Sequence, residues 1–185
     1  TDRETLSARL IDRPLRPLFP DGYRHETQIV AFIISADTEF HADVLSITGA
    51  SCALALSDVP FHDIVSAVRV GRVDGEFVVN PSIEQLEESD LDLIVAGTDE
   101  IVCMIEGECL EISEDDLMDA MEFGHGWIRK LNDLQRELRE KAGGKPKWDF
   151  QAPELDAQKV TAVEQAIGGE LKDVMALQGK QERAD

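Results

Sequence analysis

Apolar positions recur at helical spacing through Leu117, Met121, Gly124, Ile128, Leu131 and Leu138, and this stripe predicts a long amphipathic helix. SerGluAspAsp from Ser113 sets acids at its positive N-terminus, and GlyGly at 143 and 144 closes it. Upstream the pattern changes to short runs rich in Val, Ile and Phe. Ile64 to Arg72 and Glu76 to Asn80 predict a hairpin around ValAspGlyGlu, and Leu91 to Ala96 with Ile101 to Glu106 a second one around GlyThrAspGlu. Between them ProSerIleGluGlnLeuGluGluSer reads as a short helix with Ser82 at or near its cap. Thr27 to Ala36 reads as a buried strand, and His41 to Ser57 as a helix whose small residues allow close approach to a sheet. Beyond LysProLysTrpAspPhe, a candidate boundary, Val160, Val163, Ile167, Leu171 and Val174 suggest another amphipathic helix, weakened by Gly168 and Gly169.

Composition narrows the class. A chain of 185 residues with 43% hydrophobic residues suits about one domain plus an appendage. No apolar stretch approaches the roughly 20 residues of a membrane helix, and no signal-peptide core is present, so export is not expected. Cys52, Cys103 and Cys109 are odd in number and lack CxxC spacing, which suggests neither a disulfide framework nor a zinc site and fits a reducing cytoplasm. The net charge of -20 argues against generic nucleic-acid binding. Its distribution qualifies this, because arginines crowd residues 1–25 while residues 26–128 carry only Arg69 and Arg72 as cations.

Any phosphate contact is therefore sought near the N-terminus. A helix over Thr5 to Asp12, with Thr1 or Asp2 near its cap, sets Arg9 and Arg13 four apart on one face. Pro14 is expected to end that helix, and Pro17 and Pro20 to hold Arg16 on a stiff extended segment beside them. Three rigidly presented guanidiniums suit phosphate. The plainer alternative pairs Arg13 with Asp12 or Glu4 and sets Arg16 on a carbonyl. No GxGxxG, GxxxxGK[ST], HExxH or GxSxG occurs. His41, Asp43, His62 and Asp63 are weak metal candidates, His125 reads as a packing residue, and the acids of residues 87–92 read as solvated turn chemistry. By its own motifs the chain has no self-sufficient catalytic or metal site.

ArgLeuIleAspArgProLeuArgProLeuPhePro, residues 9–20, belongs to a set of ordered blocks. The others are IleThrGlyAlaSerCysAlaLeuAlaLeuSerAspValProPhe (47–61), ValArgValGlyArgValAspGlyGluPheValValAsnPro (68–81), LeuGluGluSerAspLeuAspLeuIleValAlaGlyThr (86–98), GluPheGlyHis (122–125) and GlyLysProLysTrpAsp (144–149). In these the sequence closely resembles the bacterial polynucleotide phosphorylases over nearly its whole length. It departs at residues 61–66, PheHisAspIleValSer, where that family usually has a glycine and a proline.

The resemblance implies an α+β fold: a partial ribonuclease PH-like first core over 1–147, with mixed sheets, covering helices and its N-terminal strands missing, then the start of an all-α linker domain over 148–185. Exposed edges and marginal stability or association in isolation are expected of such a piece. It also implies a part of a 3'-to-5' phosphorolytic exoribonuclease acting in RNA degradation, a cytoplasmic homotrimer. Its active site lies chiefly in an absent second core. Single-stranded RNA and inorganic phosphate are the implied substrates, magnesium the metal of the complete enzyme, and RNA degradosome components further partners. Arg9, Arg13 and Arg16 match the family's arginine-rich segment and are the expected RNA contacts. A noncatalytic RNA-binding or ring-assembly module, and an acidic scaffold with its arginines used internally, are the competing readings.

Overall fold

Residues 2–183 are described by a computed structural model. They form two compact units, one through Phe150 and one from Gln151. Helix α1 spans Asp2–Leu15 and runs into a single 3-10 turn, Arg16–Leu18. It is longer than its sequence suggests. Pro14 lies in its last turn rather than beyond its end, and both Pro14 and Leu15 are almost wholly buried, which offsets the hydrogen bond that proline removes. Asp2 sits in the first turn, and Thr1 lies outside the described residues.

The segment 27–36 is not a strand. It has no ladder partner among the described residues, and Phe32 and Ile34 are 83% and 96% exposed. Apolar, β-branched composition favours a pleated surface only where a neighbouring strand and a covering layer exist. Helix α2 (Asp43–Leu56) follows as expected.

Strands β1 (Ser66–Val73), β2 (Glu76–Val79), β3 (Leu91–Gly97) and β4 (Val102–Cys109) form one sheet in the order β2-β1-β3-β4. In place of the expected mixed sheets, all three pairings among the described residues are antiparallel. Local chemistry explains the joints. Asp74 and Gly75 both take positive φ, 52° and 82°, as a two-residue turn of matching twist requires. Ser82 and Gln85 form a reciprocal capping box at α3 (Ile83–Glu88).

Helix α4 (Glu114–Ala142) is capped by Ser113 and stopped by Gly143 at a left-handed φ of 65°. It lies on one face of the sheet, where Ala120 and Ile128 pack with Val68, Val70, Leu93 and Val95. On the opposite face α2 brings Val44, Ile47 and Leu54 onto Ala67, Ile94 and Ala96, and Leu15 of α1 joins that cluster. The segment after α4 returns to α2: Lys147 Nζ donates to the carbonyls of Leu54 and Ser57 at 2.6 and 3.1 Å, and burial pushes its pKa down. A lysine thus satisfies the orphan carbonyls at the end of α2.

The second unit contains α5 (Ala157–Ala176), started by Asp156, whose side chain accepts from the Gln158 and Lys159 amides. Its stripe of Val163, Ile167 and Leu171 is exposed.

Two glycines test the packing in opposite directions. A Cβ at Gly107 would run into the Asp92 carbonyl oxygen and sit 2.9 Å from Leu93 Cα, whereas one at Gly126 meets nothing within 4 Å. Gly107→Ala is expected to destabilise by about 1–3 kcal/mol through overpacking of the β3–β4 pair. Gly126→Ala is expected to stabilise by up to about 1 kcal/mol through helix propensity. Thermal melts of both variants check this, and a Gly107→Ala protein melting with wild type would contradict it.

Candidate nucleic-acid interface

Helix α1 presents Arg9 and Arg13 on one face, as the four-residue spacing requires, but the three arginines do not converge. Arg13 reaches across to Glu106 on β4, and both side chains are about half exposed. Arg16 does not project from an extended segment. It sits in the 3-10 turn and folds back on Asp12, donating from Nε at 2.9 Å and from Nη2 at 2.7 Å to the two carboxylate oxygens. That bond and the Asp12 charge raise its pKa. The acids that hold Arg13 and Arg16 differ from those of the plainer alternative: Glu106 in place of Asp12 or Glu4, and Asp12 in place of a carbonyl. Arg9 is exposed and has no hydrogen bond or ion pair among the described residues.

A groove of about 570 Å³ runs between α1 and the β3–β4 edge, lined by Leu6, Arg9, Leu10, Arg13, Arg69 and Glu106 among others. On the other side of α1 a larger hollow of about 1110 Å³ opens toward the irregular segment, with Ile11, Phe19, Ile29 and Ile33 among its walls.

The two arginines of the middle of the chain are network centres, Arg69 buried and Arg72 partly buried. Arg69, 9% exposed, donates from Nη2 to Asp43 at 2.8 Å and from Nη1 to Asp92, joining α2 to β3. Its backbone is pinned as well, since its amide donates to Asn80 Oδ1 at 2.9 Å. Arg72 grips Asp90, Nη2 to Oδ2 at 2.6 Å, and Asp116 at 3.1 Å, joining β1 to the first turn of α4. Two acids of the 87–92 run are therefore arginine partners rather than solvated turn residues. The signal that could have found them is the isolation of two cations in a hundred-residue acidic stretch.

His125 is 8% exposed, and its Nε2 donates to the Thr98 carbonyl at 2.9 Å while Nδ1 accepts from Arg129. Asp99 in the same turn accepts from Asn132 at 2.9 Å and from Arg136, so α4 clamps the β3–β4 turn. Among the described residues no group of three or more His, Cys, Asp or Glu side chains is placed to hold a metal ion. The three cysteines are free, and burial pushes the thiols of Cys52 and Cys103 up.

Comparison with known proteins decides the family. Residues 1–60 match the 3' exoribonuclease family, domain 1, and residues 63–126 match the same family, domain 2. The chain belongs to the 3' exoribonuclease family. The junction of its two domains falls at Phe61 and His62, between α2 and β1, where buried Phe61 seals the α2 side of the sheet. Over 183 residues, 99% of its length, the chain is 48% identical to the polyribonucleotide nucleotidyltransferase of Bdellovibrio bacteriovorus and 49% identical to that of Syntrophotalea carbinolica. It is 46% identical to that of Aquifex aeolicus over the same length. The chain spans about a quarter of the length of these relatives, 26%, 26% and 24%.

In this exoribonuclease-family core the Arg72 network makes stability depend on acid. Arg72 holds the Asp90 carboxyl below its usual range, and the Ser113 hydroxyl, then Arg72, do the same for Asp116. The unfolded chain takes up these protons at higher pH than the folded one, so the stabilisation is complete above the ordinary carboxylate value of about 4 and is lost as pH falls below it. Melting temperature measured from neutral to acid pH is expected to fall through that window in the wild type and to fall less steeply in Arg72→Gln. Parallel curves would contradict the assignment.

Proposed function

We propose that this chain is the RNA-positioning part of a polyribonucleotide nucleotidyltransferase, a 3'-to-5' phosphorolytic exoribonuclease. In the reaction inorganic phosphate attacks the terminal phosphodiester of single-stranded RNA and a nucleoside diphosphate leaves. The observation that carries this reading is the 46–49% identity to proteins of that name along essentially the whole chain. Residues 1–147 are proposed as the first core and 148–185 as the start of the helical domain, a division supported by the two compact units, whose boundary in the chain falls between Phe150 and Gln151.

The chain's own contribution is to hold a polyanion in register. Arg9, Arg13 and Arg16 lie at the groove or at the end of α1, and phosphate contacts of this kind fix position without reading bases. Such contacts suit an enzyme that degrades any sequence. Magnesium is proposed for the complete enzyme. The described residues do not fit it: Asp43 and Asp92 are committed to Arg69 and no third donor joins them, so no step here runs through the metal. A cytoplasmic homotrimer that meets RNA degradosome components completes the proposal. No described helix is long and apolar enough to cross a membrane.

The isolated chain, incubated with poly(A), phosphate and magnesium, is expected to release no nucleoside diphosphate, while the full-length enzyme releases it continuously. Sustained release by the isolated chain would overturn the division of labour. No phosphorolysis by the full-length protein would favour the noncatalytic RNA-binding or ring-assembly module instead.

A further inference from the structure

We infer that Arg9 is the residue of this chain that contacts an RNA phosphate, with Arg13 and Arg16 as positioning residues that fix the helix presenting it. The inference rests on the RNA-positioning reading above and sorts the three arginines within it.

A guanidinium serves phosphate through free N–H donors arranged in a fork. Arg16 has spent that fork, since Nε and Nη2 both donate to Asp12. Arg13 has spent Nη1 on Glu106, a partner 93 residues away, and so ties α1 to β4. Freeing either one for RNA would uncover a carboxylate beside the incoming phosphate, and the repulsion would cancel much of the contact. Arg9 carries no such liability. It is exposed, has no partner among the described residues, and lies one helical turn from Arg13 on the face that lines the groove.

Of the groove's acids, Asp43 and Asp92 share the single charge of Arg69 and Glu106 holds Arg13, while the Glu108 side chain has no partner among the described residues; none of them is paired with Arg9. In a chain of net charge -20 a cation left without a counter-ion beside a concave surface is the natural seat for an external anion. The backbone of a single strand offers that anion without demanding a base sequence.

The test is equilibrium binding of single-stranded poly(A) to the full-length enzyme across a salt series. Arg9→Ala is expected to weaken binding several-fold and to flatten the log-affinity against log-salt slope by about 0.7, the value of one single-strand phosphate contact. Arg9→Lys, which keeps the charge, is expected to restore the slope. Arg13→Ala and Arg16→Ala are expected to keep the wild-type slope, with Arg13→Ala lowering the melting temperature instead. A wild-type slope in Arg9→Ala with a flattened one in Arg13→Ala or Arg16→Ala would overturn the inference and leave the RNA-positioning reading standing. Wild-type slopes in all three would overturn both.

Discussion

Everything in the first unit is arranged around the charge of Arg69, buried between a helix and a sheet. A guanidinium removed from water must keep its partners, because an uncompensated buried charge costs about 3–5 kcal/mol. Asp43 supplies one partner from the first turn of α2 and Asp92 the other from β3, so the helix can dock in only one register without stranding a charge. Apolar contacts around Ile47 and Leu54 supply bulk stabilisation, but they are tolerant of sliding in a way the ion triad is not. From that fixed point the rest follows: α2 carries α1 through Leu15, and α1 carries the arginines.

The same constraint explains how so acidic a chain can belong to an RNA-processing family. Several of its cations are consumed by structure, Arg69 and Arg72 in the sheet and the partly exposed Arg136, which reaches from α4 to the β3–β4 turn. Acids such as Asp90 and Asp99 look like solvated charge in the sequence and act as fasteners in the fold. What remains unpaired is small and local, which agrees with the positioning role proposed above.

How much of this is legible in the sequence follows from the range of the interaction involved. Turn and cap chemistry acts within a few residues, so Asp74-Gly75, Ser82, Ser113 and Gly143 announce their elements in the linear pattern itself. The segment 27–36 misleads because strand formation depends on a partner, and its Ile and Val run is the same whether or not one is present. Pro14 misleads for the opposite reason: a local penalty is outweighed by burial. Of the site, the helical face of Arg9 and Arg13 is legible from spacing. The pairing of Arg13 with Glu106 and of Arg69 with Asp92 is not, since nothing in a linear pattern says which acid tertiary packing will bring near. The family resemblance is legible because it rests on ordered blocks of the linear sequence, which need no knowledge of the contacts.

The most direct measurement is a double-mutant cycle between Arg69 and Asp92, with Arg69→Gln, Asp92→Asn and the double variant unfolded by denaturant. If the buried triad is the fixed point of the fold, Arg69→Gln costs about 3–5 kcal/mol and the double variant costs less than the sum of the singles by about 2 kcal/mol or more. Strictly additive losses of less than about 0.5 kcal/mol each, the size expected of ordinary surface substitutions, would contradict it.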